Sequence, residues 1–146
     1  MPAHSEKRTL PYTPEQLFQL VAAVDRYPEF LPWCKAARIL RQDEHEMVAD
    51  LVIGYKIFTE KFRSEVTLDR PSRIDVRYLS GPLSHLSNRW RFEPKGKGGC
   101  ELSFEVDFDF RSSLLGAAME MFFDKAILKM VAAFEARAEQ LYGNNS

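Results

Sequence analysis

The stretch Cys100-Glu101-Leu102-Ser103-Phe104-Glu105-Val106-Asp107-Phe108-Asp109-Phe110 alternates without a break between apolar and polar side chains. Successive residues of a β-strand point to opposite faces, so Leu102, Phe104, Val106, Phe108 and Phe110 share one side and Ser103, Glu105, Asp107 and Asp109 the other. A strand this one-sided belongs to an antiparallel sheet with one face packed and one face wet. The carboxylates therefore sit in solvent, which argues against paired-carboxylate catalysis in an interior pocket. The preceding segment, 84–92, repeats the pattern: Leu86, Trp90 and Phe92 alternate with Ser87, Arg89 and Arg91. Asn88 is the polar exception on the apolar side.

Toward the N-terminus the period of two continues in candidate strands 73–79, 58–68, 46–53 and 36–41. They are separated by Asp69-Arg70-Pro71-Ser72, Gly54 and other short breaks, and connections this short favour an antiparallel meander. A strand-like start at 5–10 makes seven. Between it and the meander, 12–24 reads as a helix, with Thr13 as N-cap, Pro14 at the first helical position and Gln16 closing a capping box. Leu17, Leu20, Val21 and Val24 recur at helical spacing, and Pro28 and Pro32 frame an aromatic turn over 27–33. After the decisive strand, 113–142 reads as a helix about 45 Å long, ended by Gly143. Its main stripe is Met119, Phe123, Ala126, Met130, Phe134 and Leu141, with Leu114, Met121 and Leu128 lying off it. The layout is α+β: a helix-grip arrangement in which one curved seven-stranded antiparallel sheet wraps around a long C-terminal helix, with 1–146 as one domain.

Charge and chemistry narrow the function. Twenty basic and twenty-one acidic residues give a formal net charge of -1, without the global positive field of a nucleic-acid binder, and no DNA partner is expected. No apolar run reaches spanning length, and the polar start over 1–9 does not read as a signal or transit peptide, so a cytoplasmic location is expected. Cys34 and Cys100 lie far apart with no histidine at ligand spacing, and no metal site is expected. The histidines, His4, His45 and His85, support no nucleophile–base arrangement, and the loop Lys95-Gly96-Lys97-Gly98-Gly99 reads as a flexible hairpin, not a phosphate loop. No catalytic residue is assigned.

Eleven Phe, five Tyr and two Trp must be housed. Phe58, Phe62, Tyr78, Trp90, Phe92, Phe104, Phe108 and Phe110 are expected on the concave side, either as a filled core or as the wall of an apolar cavity. Asn88 needs a partner there, which a ligand carbonyl, a backbone group or water would supply. Phe30, Leu31 and Trp33 plug the end of the core or frame an entrance. On the outer face, Glu101, Glu105, Asp107 and Asp109 are expected to pair with Arg89 and Arg91.

Three motifs carry a resemblance: Tyr27-Pro28-Glu29-Phe30-Leu31-Pro32-Trp33-Cys34; Gly81-Pro82-Leu83 with Leu86, Asn88, Trp90 and Phe92; and 106–115. Together with the element order they resemble the START-like coenzyme Q-binding family, which includes ribosome-association toxins and lies in a superfamily of polyketide cyclases and lipid carriers. The pattern departs from the family at Leu83 and Ser113. The resemblance implies a non-catalytic protein with no cofactor that binds a ubiquinone-like polyprenyl quinone. Its wall would be Phe30, Leu31, Trp33, Phe58, Phe62, Tyr78, Leu83, Leu86, Asn88, Trp90, Phe104, Phe108, Phe123 and Met130. It further implies a role in respiration or quinone biosynthesis and transient peripheral contact with a bacterial inner membrane. The off-stripe Leu114 and Met121, with Gly116 weakening the first turns, read as a movable gate over 114–122 with Phe30, Leu31 and Trp33, or else as a dimer interface over the same patch. The alternative partner is a ribosomal subunit, met by Lys61, Arg63, Arg73, Arg77, Arg89 and Arg91. A polyketide cyclase-like enzyme is the second alternative.

Overall fold

The computed structural model describes the backbone of residues 3–55, 58–111 and 113–143 and the side chains of 3–54, 59–109, 111 and 125–143. The alternating stretch forms β7 (Gly99–Phe110), paired antiparallel with β6 (Leu83–Lys95) on one side and with β1 (Ala3–Leu10) on the other. Adding β2 (Cys34–Gln42), β3 (Glu46–Tyr55), β4 (Phe58–Asp69) and β5 (Arg73–Ser80) gives a seven-stranded sheet in the order β1-β7-β6-β5-β4-β3-β2. Leu86↔Phe108, Trp90↔Phe104 and Phe92↔Leu102 are cross-strand pairs on the inner side, while Glu105 and Asp107 are exposed, so the register is the expected one. Every expected strand is present. The hairpin after β6 turns through Gly96 and Gly98, at φ +63° and +73°, in the left-handed region that glycine enters without strain.

β1 and β2 occupy opposite edges, so the chain joining them has to cross the sheet. It does so as α1 (Pro14–Ala22) and a 3-10 helix (Val24–Glu29). The capping box forms as expected: Gln16 N–H donates to Thr13 Oγ1 at 3.1 Å and Thr13 N–H to Gln16 Oε1 at 2.9 Å. Such a cap contributes about 1 kcal/mol. α1 stops at Ala22, two residues before the expected end, because the chain tightens there and the Tyr27 hydroxyl donates to the Val21 carbonyl at 2.5 Å. Phe18, absent from the expected core, is fully buried, edge-on to Phe92 at 5.8 Å and covered by the Arg70 guanidinium at 4.7 Å.

The C-terminal helix is α2 (Ser113–Ala138), followed by a π-turn over Glu139–Gly143. Among its described side chains, 125–138, the buried ones are Ile127, Val131, Phe134 and Ala138, with Met130 half-buried at the margin. At 100° per residue this stripe is rotated by about 60° from the expected one. The rotation follows from α1, which supplies a second packing surface beside the sheet. Leu141, placed in the stripe from sequence, is 49% exposed because the wider π-turn carries it off the helical face. Met119 and Phe123 lie outside the described side chains. The result is the helix-grip α+β fold, with its core between α1, the second half of α2 and one end of the sheet's inner face.

Candidate ligand-binding face

The inner face divides into two ends. Under α1 and the second half of α2, Val66, Leu68, Ile74, Trp90, Phe92 and Phe104 are buried in one cluster. Trp90 lies 4.9 Å from the Phe104 ring and 5.4 Å, edge-on, from Phe134. A void of about 30 Å³ sits beside them, lined by Leu17, Trp90, Phe104, Val131 and Phe134 with Glu6, Arg8 and Glu135 at its border. That is the room one water needs and far short of a prenyl chain. Trp90 and Phe104 therefore act in this structure as packed core.

At the other end, Phe62, Tyr78 and Leu86 point to the same side by strand parity, yet each is half-buried and none joins the described core cluster. Phe108 is half-buried at the cluster's edge. The sheet opens here: β5 and β6 pair from Arg73↔Arg91 to Arg77↔Ser87, after which β5 is paired with β4 and β6 with β7. The Tyr78 side chain bridges the opening, its hydroxyl accepting from Leu83 N–H at 2.9 Å and its ring edge-on to Phe62 at 6.4 Å. Leu83 is buried next to it, outside the main cluster. Phe58 and Phe123, also expected on the wall, fall outside the described side chains.

Asn88 faces inward, as its parity requires, but its amide is satisfied by the protein. Nδ2 donates to the Glu105 carbonyl at 2.9 Å, and Oδ1 accepts from Trp90 Nε1 at 2.8 Å. Its position thus creates no need for a ligand carbonyl.

The expected gate is described only in part: the side chains of 114–122 lie outside the described residues, while the aromatic turn packs inward. Leu31 is 3% exposed, and Phe30 packs edge-on to Tyr27 at 5.9 Å and to Phe134 at 5.2 Å, with the Arg137 guanidinium 5.2 Å from its ring. Arg137 also donates to Glu29 at 2.6 Å. These contacts tie the aromatic turn to the second half of α2. Phe134 is about 24 Å along the helix from residue 118, the middle of the expected gate, at 1.5 Å per residue. Phe30 and Leu31 thus form a plug, with Tyr27, whose hydroxyl pKa is pushed up by burial. Trp33 is half-buried beside them, and its Nε1 has no hydrogen-bond partner among the described residues.

Sequence reasoning missed the inner side of β1. His4, Glu6 and Arg8 alternate on that side; His4 Nε2 lies 2.8 Å from Glu6 Oε1, Arg8 pairs with Glu6, and Arg8 Nη1 donates to Glu135 at 2.8 Å. This chain of charges ties the edge strand to α2. The His4-x-Glu6-x-Arg8 spacing was the available signal, since period two puts all three on one face.

On the outer face the expected pairing of Arg91 with β7 is also corrected. Its register neighbour there is Ser103, and its guanidinium instead donates to Asp75 on β5 at 2.8 Å. Arg73 lies 3.6 Å from both Asp69 and Asp75, and Arg77 is 2.8 Å from Glu65. Arg89 does stand opposite Glu105 in register, and His85 lies 3.1 Å from Asp107. Among the described residues no group of three or more His, Cys, Asp or Glu could hold a metal ion, and no helix is long and apolar enough to cross a membrane.

Residues 10–135 match the polyketide cyclase/dehydrase and lipid transport family. The chain is 39% identical to the ribosome association toxin RatA of Rickettsia prowazekii, over 92% of this chain and 94% of that one. It is 33% identical to the mitochondrial coenzyme Q-binding protein COQ10 homolog B of Xenopus laevis, over 96% of this chain and 59% of that one. The solution structure of the 18 kDa protein CC1736 from Caulobacter crescentus superposes with a TM-score of 0.78 at 41% identity, covering 98% of this chain and 99% of that one. A helix-grip sheet with these relatives along nearly its whole length places the chain in the START-like polyketide cyclase/dehydrase and lipid transport family.

Proposed function

We propose that this chain is a non-catalytic binding protein, acting over 1–146 as one lipid-binding unit, that shelters a ubiquinone-like polyprenyl quinone against the open end of the inner face. The observation that carries this reading is the state of Phe62, Tyr78 and Leu86, which face inward yet stay half-buried outside the packed core. Apolar surface left wet costs about 25 cal/mol per Å², and a tail laid on it removes that cost. The relative named as a coenzyme Q-binding protein supports the same ligand class. Transfer needs no covalent step and no cofactor. Each buried CH₂ is worth about 0.8 kcal/mol in bilayer or protein, so exchange at a membrane surface is close to balanced and reversible. The protein would work from the cytoplasm at the inner membrane, delivering quinone to respiration or to its biosynthesis.

Titrating the purified protein with a short-tailed ubiquinone, followed by tryptophan quenching, tests this. The Phe62→Ala/Leu86→Ala double variant, checked for folding by circular dichroism, should bind roughly tenfold or more weakly, because each truncation removes of order 1 kcal/mol of contact. Unchanged affinity, or no saturable binding by the unaltered protein, would refute the reading.

Ribosome association is a second reading. It is favoured by the extent of the match to the toxin relatives, which reaches 98% of this chain and 100% of the Pseudomonas aeruginosa protein at 35% identity. Cosedimentation with purified ribosomal subunits tests it.

A further inference from the structure

A net charge of -1 conceals an uneven spread of charge over the outer sheet face. On β7, next to the β1 edge, Glu101, Glu105 and Asp107 project outward. At the opposite edge the register sets Arg38 on β2, Asp50 on β3 and Arg63 on β4 side by side, with Lys61 at the next outward position of β4. Arg63 donates to both carboxylate oxygens of Asp50, at 2.8 and 3.0 Å, and Lys61 Nζ lies 4.0 Å from the same group. Lys35 joins them from the bulge between Cys34 and Ala36, its stem lying in the slot left by Gly54, where a Cβ would stand 2.8 Å from Lys35 Cε. Glu65, the following outward residue of β4, is taken up by Arg77. Arg63 and Lys61 reach Asp50, Arg38 stands beside it in register and Lys35 ends the row: four cations to the one carboxylate that the described side chains place there, an excess of three positive charges.

We infer that Lys35, Arg38, Lys61 and Arg63 form a binding surface for the phosphate backbone of ribosomal RNA, an inference that rests on the ribosome-association reading. Guanidinium and ammonium groups recognise phosphate without reading sequence, the contact a structured RNA surface offers. The shape selects RNA over a bilayer: a convex sheet touches a plane along a strip but fits into a groove. Membrane-surface binding also relies on apolar side chains that insert, whereas Val48 and Val52, which separate the cations here, are half-buried in the sheet. The patch differs from the one expected from sequence: Arg73, Arg77 and Arg91 are matched one for one by Asp69, Asp75 and Glu65, whereas the Arg63–Asp50 pair leaves Lys35, Arg38 and Lys61 over.

The test is cosedimentation of the full chain with ribosomal subunits and with protein-free ribosomal RNA, alongside flotation with phosphatidylglycerol vesicles, between 50 and 200 mM salt. With three uncompensated cations the unaltered protein should lose roughly 20- to 40-fold in RNA affinity across that range. The Lys35→Glu/Lys61→Glu variant should bind at least tenfold more weakly, and the neutral Arg38→Gln/Lys61→Gln variant should flatten the log–log salt slope by about 1.4 to 1.8. The charge-matched control Lys7→Glu/Lys95→Glu, at the far end of the same face, should stay within twofold. Equal loss in patch and control variants overturns the patch while leaving ribosome association standing. Failure of the unaltered protein to bind subunits or RNA overturns both. Patch-dependent binding to vesicles but not to RNA overturns the RNA assignment in favour of a membrane.

Discussion

Replacing Asn88 with Ala distinguishes a structural amide from a ligand contact. Two hydrogen bonds disappear, the one from Nδ2 to the Glu105 carbonyl and the one Oδ1 accepts from Trp90 Nε1. Glu105 is exposed, so water replaces the first, at a net loss of about 1 kcal/mol. Trp90 is buried, and its stranded indole N–H adds about 1–3 kcal/mol. The sum is about 2–4 kcal/mol, equivalent to a fall in Tm of about 5–12 °C for a chain of this size. Urea unfolding followed by tryptophan fluorescence measures it. In a Trp90→Phe background the same substitution should cost only about 1 kcal/mol, a coupling that a double-mutant cycle isolates. Quinone affinity, corrected for the folded fraction, should not change. A stability loss below 0.5 kcal/mol together with lost quinone binding would refute this reasoning and return Asn88 to a head-group role.

Phe134→Ala removes the ring shared by Tyr27, Phe30 and Trp90 and should destabilise by about 3–5 kcal/mol in the same urea assay; a loss under 1 kcal/mol would mean that the plug does not pack on α2. The Arg63 guanidinium holds the Asp50 carboxyl below the usual aspartate range, so the pair's contribution is present above about pH 4 and is lost as pH falls through the lowered value. The stability gap between the unaltered protein and Asp50→Asn should therefore narrow from pH 6 toward pH 3, and a constant gap would contradict the pairing. Burial pushes the Cys34 and Cys100 thiols up to about 11, so native protein should resist aromatic disulfide reagents at pH 8 until urea unfolds it. Unfolded thiols ionise near pH 9 while the folded ones do not, so stability should decline as pH rises from 9 toward 11; rapid labelling of native protein at pH 8 would contradict the burial.

Strand number, register and the α1 cap were legible because each is a local signal. Alternation in 100–110 fixes which face is dry, and Thr13, Pro14 and Gln16 can form their cap without reference to the rest of the chain. What sequence left open depends on which surfaces meet. The α2 stripe was displaced because α1 lies beside the sheet, a fact no helix periodicity contains. Plug and entrance stayed open for the aromatic turn because the partners of Phe30, Phe134 and Arg137, lie more than a hundred residues away. The inward aromatics could not be divided into core and open wall, since Trp90 and Leu86 have the same parity and differ only in what covers them. Arg91 and Lys61 likewise look equivalent in the sequence, and only the cross-strand register separates the residue balanced by Asp75 from the one left beside the Arg63–Asp50 pair.

The most direct test of the ligand-binding face is to irradiate the protein with a ubiquinone analogue carrying a diazirine on its tail and to map the attachment sites by peptide mass spectrometry. The account predicts saturable labelling, competed by unlabelled quinone, within the peptides that hold Phe62, Tyr78, Leu86 and Phe108, with little on the Phe18–Phe92 end of the core. Labelling confined to the outer face, or attachment that excess quinone does not displace, would contradict it.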